Sequence, residues 1–147
     1  MAISNRILLK IDPLTEEEWE QIHLHPVHAY QMLKDIPFLI PALDIPYYHH
    51  EKWDGTGYPT GLAGEAIPLA ARIFAVAEEW DALRSERPYR GAWSSERALD
   101  YIRDQRKKHF DPAVVDKFLE LLHADDALLH TELQKRKTPK HHKERFL

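Results

Sequence analysis

The sequence contains no cysteine, which excludes a disulfide framework, a thiolate metal site and a cysteine nucleophile. Long apolar runs are missing too: each is broken by charge or proline within about ten residues, against about 20 for a membrane-crossing helix. No basic segment leads into an apolar run at the N-terminus, so no secretory signal is visible and a cytoplasmic location is expected. Alternating apolar and polar residues bounded by turns do not occur, which leaves no strand signal. Glycine is scarce: there are five in 147 residues, and four of them fall between Gly55 and Gly64. Such a cluster marks a loop that needs unusual backbone angles or close backbone approach.

The length suffices for one domain with its own core and is short for two. Charge is unevenly placed. The net charge is −4, yet Gln134–Leu147 holds six Lys/Arg against one Glu, a surplus of +5, so the rest carries −9. An acidic body argues against nucleic-acid binding, which calls for a basic face. The basic tail is open to two readings, contact with an anionic surface or a solvated, frayed terminus.

What is present is helix after helix. Thr15 and Glu18 form a capping box, with Glu16, Glu17 and Glu18 in the first turn, so a helix runs from there to about His25. Pro26 sits in the first turn of a second helix reaching about Lys34. A third is expected over 40–50, kinked or delayed by Pro46. Pro68 opens a helix to about Ser85, with Leu69, Ile73, Val76, Ala77, Trp80 and Leu83 as its buried face. Ser94 caps a helix over 95–106 with Ala98, Leu99 and Ile102 inward, and Asp111 with Pro112 starts the last, reaching Leu122. The expected fold is all-α.

Ten histidines stand out in a chain of this size, since histidine is the commonest metal ligand and the usual acid–base at neutral pH. His49 and His50 end a helix and lead into the glycine loop. Adjacent residues on a helix diverge by about 100°, which suits two neighbouring ions better than one. On spacing alone such a pair is as readily incidental.

The string HHEKWDGTGYPTGLAGEAIPLAARI (49–73) resembles the signature of the HD-GYP family, with Gly57-Tyr58-Pro59 as the namesake tripeptide. The resemblance continues through AVAEEWDALRSERPYR (75–90) and HFDPAVVDKFLELL (109–122), and upstream through LTEEEWEQIHLHP (14–26). It covers about residues 3–122 and implies a helical bundle of the HD/HD-GYP type, with a partial domain over 1–124, the GYP loop at 49–64 and a basic tail at 125–147. It further implies two or three iron or manganese ions, with His25, His49 and His50 as ligands. Where the family has an aspartate ligand this chain has Glu78, one methylene longer. Tyr58, Arg87 and Arg90 match residues that contact substrate phosphates, and Asp81 falls where it could support a histidine or serve in a cap or salt bridge. His23 and His28 match no ligand, His109 reads as a structural contact in its turn, and His123, His130, His141 and His142 as solvated.

The family's His-Asp pair and a following lysine are not found here; no His-Asp dipeptide occurs in the sequence. The resemblance places them just upstream of Met1, so the bundle is expected to be incomplete at its N-terminus and to expose apolar helix faces. The implied activity is hydrolysis of cyclic di-GMP by metal-bound hydroxide, crippled for this chain alone. The alternative is a non-catalytic module that binds a GGDEF diguanylate cyclase domain, a completing N-terminal segment or a second copy of itself.

Overall fold

The computed structural model describes residues 3–10, 12–87 and 90–137. Seven α-helices are present among them: α1 (Asn5–Leu8), α2 (Glu16–His23), α3 (His25–Leu33), α4 (Asp44–Tyr48), α5 (Leu69–Arg84), α6 (Ser95–Asp104) and α7 (Pro112–Lys137). No strand occurs among the described residues, only isolated bridges such as Arg87 with Arg90, so the all-α expectation holds. The chain forms two compact units, Met1–Val115 and Asp116–Leu147. The described part of the second, to Lys137, is helical, and within it Lys117 pairs with Glu120 at 2.7 Å. The last ten residues of the expected basic tail, 138–147, lie outside the described residues.

Local chemistry sets the helix ends. The Thr15 hydroxyl accepts from Glu18 N at 3.3 Å, and Glu18 Oε2 accepts from Thr15 N at 2.8 Å, closing the expected capping box. Leu24 is at once the C-cap of α2 and the N-cap of α3, so a single residue joins the two helices. The helix expected over 40–50 is instead a 3-10 segment, Pro37–Ala42, followed by α4. Pro46 is tolerated because it is the third residue of α4, where a backbone N–H would have no intrahelical partner.

In the first unit α3 packs on α4, α4 on α5 and α5 on α6. The core is Ala71, Ala75, Val76 and Leu83 from α5, Ala98 and Ile102 from α6, and Phe110 and Val115. This corrects the expected buried face of α5. Val76 and Leu83 are buried, but Leu69 and Ile73 are about half exposed, at 54% and 51%, and Ala77 is exposed. Apolar residues nearly encircle α5, so periodicity leaves its phase open. Small Ala71 and Ala75 decide it by letting α4 and α6 approach closely. Leu69, Ile73 and Phe74 form the uncovered apolar face.

Asp111 fastens this unit. Its Oδ1 accepts from the backbone N–H groups of Ala113 (2.7 Å) and Val114 (3.4 Å), starting α7. Its Oδ2 pairs with Arg72 of α5 at 2.5 Å in a nearly dry setting. Removing one partner of a buried pair strands the other charge, so D111A is expected to lower unfolding stability by about 3 kcal/mol or more. S94A, which removes only the Ser94 cap on Arg97 N, should cost about 1 kcal/mol. Urea unfolding of the two variants checks the ranking; equal losses would contradict it.

Candidate metal centre

His25 is the first residue of α3, and His49 and His50 follow the last residue of α4. Because α3 packs against α4, the three imidazoles meet. One ligand nitrogen from each lies within 4.8 Å of the others, the one such group of three among the described residues. His49 and His50 nevertheless converge: their ring centroids are 4.0 Å apart, although the backbone at His49 keeps helical angles (φ −64°, ψ −15°).

The donor set fits a cation. His25 Nδ1 lies 2.6 Å from the carbonyl oxygen of Ile22, and His49 Nδ1 lies 3.2 Å from that of Ile45. A carbonyl only accepts, so each Nδ1 carries the proton and each Nε2 is left with a lone pair, the arrangement that orients metal-binding histidines. His50 Nε2 faces His25 Nε2 at 3.1 Å. Without a cation, His50 must donate a proton across that contact; with one, both nitrogens serve as ligands.

Burial, then the proximity of His49 and His25, pulls His50 down to about 3. His49 is lowered by burial too, against the opposing pull of the Glu78 carboxylate. Both rings are thus neutral at physiological pH, as ligands must be. Beside them opens a cleft of about 180 Å³ lined by His49, His50, Ala75, Glu78, Glu79, Ala82, Arg87 and His109. Glu78 lies on this wall and is exposed, outside the tight group of three histidines. Burial and the neighbouring Glu78 raise the Glu79 carboxyl.

The GYP loop is fixed to the same place by Glu51. Its carboxylate is 2% exposed, and Oε1 accepts three hydrogen bonds: Thr60 N at 2.7 Å, Thr60 Oγ1 at 2.7 Å and Gly61 N at 3.2 Å. Inside that clamp Gly57 lies directly on the backbone of residues 51 and 52. A Cβ there would come within 2.3 Å of Lys52 N and 2.5 Å of Glu51 Cα. Gly55 turns the chain with φ +82°. From the other side Trp53 N and Asp54 N donate to the carbonyls of His109 and Lys108 at 3.0 and 2.9 Å. As a result Tyr58 stacks on His50, with centroids 4.8 Å apart and planes 24° apart. Its other close ring is His23, at 4.1 Å. Burial, then Glu78, pushes the Tyr58 phenol up to about 12, so it remains a donor.

The other expected site residues are placed unevenly. Arg87 is exposed at the cleft. Arg90 is already committed: its guanidinium donates to the carbonyls of Ala82 (2.8 Å) and Leu83 (3.1 Å) at the end of α5. Backbone bonds in both directions pair it with Arg87. Pro88 and Tyr89 between them lie outside the described residues. Asp81 is exposed on α5, while His25 and His49 take backbone carbonyls as their partners. Sequence reasoning missed Glu51 and Glu79; His23 was read as no ligand, and His109 as a structural contact in its turn, where its carbonyl accepts from Trp53 N. Only Glu51 had a legible signal, a carboxylate wedged between a histidine pair and a glycine loop.

The HD domain family pattern matches residues 2–114. The chain is 47% identical over 121 residues to the cyclic di-GMP phosphodiesterase response regulator RpfG of Xanthomonas campestris, covering 81% of this chain and 32% of that protein. It is 44% identical over 126 residues to a cyclic di-GMP phosphodiesterase of Vibrio cholerae, covering 81% and 26%. A crystal structure of a cyclic GMP-AMP-specific phosphodiesterase from Vibrio cholerae shares the fold, with a TM-score of 0.62 at 24% identity over 75% of this chain and 25% of that one. The chain belongs to the HD domain family, in its HD-GYP branch. It spans about a third or less of the length of these relatives. No helix among the described residues is long and apolar enough to cross a membrane.

Two expectations follow. E51A should speed hydrogen exchange of the Thr60 and Gly61 amides at least tenfold, whereas E51Q, which keeps an acceptor oxygen, should retain most of the protection. NMR exchange rates check this, and unchanged rates in E51A would contradict it. Separately, His50 and His109 (about 4, through burial and then Lys52) titrate lower folded than unfolded. The unfolded chain therefore binds more protons below about pH 6.5. Their contribution is complete above that pH and is lost as pH falls towards 4, so the urea midpoint should drop across that window. H109Q should make the drop shallower.

Proposed function

We propose that this chain is the metal-binding and phosphate-contacting part of a phosphodiesterase that hydrolyses cyclic di-GMP, with His25, His49, His50 and Glu78 holding iron or manganese. The convergence of three imidazoles beside a cleft with an exposed guanidinium carries this reading. The names and 44–47% identities of the curated relatives support the substrate. A bound cation would supply Lewis-acid polarisation of the phosphoryl group.

The chain's own residues do the rest. Tyr58, protonated and held on His50, donates to a phosphate oxygen. Arg87 forks onto the phosphate from the cleft mouth. Arg90 holds the end of α5 and, through the paired backbone, sets where Arg87 starts. Glu78, on the cleft wall beside the histidines, would swing in as the oxygen ligand; its extra methylene calls for a cation with a flexible coordination sphere. Asp81, one turn further along α5, adds negative charge behind it. A loop that only binds a GGDEF domain would leave the meeting of the three histidines without a purpose.

Dialysis against manganese or ferrous iron followed by elemental analysis tests the centre. H25A and H50A should each weaken metal binding more than tenfold. Chromatography of cyclic di-GMP incubated with the loaded chain and an added helical segment carrying a His-Asp pair should show the linear dinucleotide, with little formed by the chain alone and cyclic GMP-AMP as the competing substrate. Y58F and R87A should each lower kcat/KM about 10- to 100-fold, the worth of one charge-assisted contact. Retention of metal by the histidine variants would remove the proposal's foundation. Binding of a GGDEF domain without hydrolysis would point to the alternative.

A further inference from the structure

The ring contacts at Tyr58 do not stop at the metal centre. His23 lies 4.1 Å from Tyr58 with planes 33° apart, and Trp19, one turn earlier on α2, lies 5.7 Å from His23 with planes 41° apart. Together with the Tyr58–His50 stack, these make a continuous ladder of four rings from a metal-binding histidine to the surface. Its outer rungs are open: Trp19 is 48% exposed, His23 is exposed, and α2 contributes no buried residue at all. The indole face is therefore open to a ligand.

We infer that Trp19 and His23 form a stacking subsite for a purine base of the nucleotide whose phosphate sits at the histidine cluster. The subsite rests on the phosphodiesterase reading above, which puts a nucleotide there. Charge selects which part of the nucleotide fits. Glu16, Glu17 and Glu20 lie within three residues of Trp19 on α2, a local negative charge that disfavours a phosphate, while a base is neutral and offers a π-face to indole and imidazole. Stacking of this kind is tolerant of base identity, so guanine and adenine should both fit. Discrimination between them must then come from elsewhere.

The test is NMR titration of the intact chain with GMP, AMP and ribose 5-phosphate, following the indole N–H signals of Trp19, Trp53, Trp80 and Trp93; W19F identifies the first. GMP and AMP should move the Trp19 signal and bind about tenfold more tightly than ribose 5-phosphate, the usual worth of one stacked base. W19A should remove most of that difference and H23A part of it. Should W19A fail to fold, the Trp19 shift in the unaltered chain decides. An unmoved Trp19 signal, or equal affinity for GMP and ribose 5-phosphate, overturns the subsite. If cyclic di-GMP is hydrolysed but the base makes no difference to binding, the subsite alone is wrong. If the base binds at Trp19 but no cyclic dinucleotide is hydrolysed, the phosphodiesterase reading alone is wrong.

Discussion

Between residues 51 and 61 the chain folds back until backbone touches backbone, and one carboxylate oxygen holds the return. Glu51 Oε1 takes the N–H and hydroxyl of Thr60 and the N–H of Gly61. Little water reaches it, so these bonds have little competition. Everything at the centre is referred to this clamp. It stands one residue after His50, so the loop it closes returns Tyr58 to the face of that imidazole. The pairing of Trp53 and Asp54 with the 108–109 carbonyls brings His109 to the cleft. Asp111, two residues on, ties the same turn to α5 through Arg72.

The histidine cluster is oriented by backbone rather than by acidic side chains. His25 bonds a carbonyl three residues before it and His49 one four residues before it; each carbonyl also accepts a backbone N–H, from Leu24 and His49 respectively. Aiming an imidazole in this way uses no buried charge. The carboxylates of Glu78 and Glu79 are then left to the cleft, where a cation or a guanidinium can meet them. Arg90 shows the same economy. Its charge sits at the C-terminus of α5, where the helix dipole favours it, and its partner Arg87 is left facing the cleft.

Much of this was legible in the sequence, for identifiable reasons. Caps at Thr15, Ser94 and Asp111 are local chemistry, so the starts of α2, α6 and α7 could be read directly, whereas α7 runs on to Lys137, well past the expected Leu122. The motif strings placed His25, His49 and His50, and the structure brings them together. The phase of α5 was not legible, because Ala71 and Ala75 give little periodic signal yet decide which face is buried. The split of the 40–50 helix was only half visible: Pro46 warned of trouble without saying that Pro41 would hold a 3-10 turn. His23 and His109 were hidden for another reason. Each reaches the centre through contacts with residues about 35 to 60 positions away, and no local pattern encodes that.

The single residue between α2 and α3 has a mechanical consequence. Leu24 ends one helix and begins the next, with no slack between His23 and His25. Those two histidines are joined twice, once along the chain through that residue and once across space through Tyr58. Such a closed linkage cannot shear freely. A tilt of the outer helix that moves Trp19 also turns the peptide bearing the first imidazole, so motion at the indole is passed, through a short elbow, to the histidine cluster below.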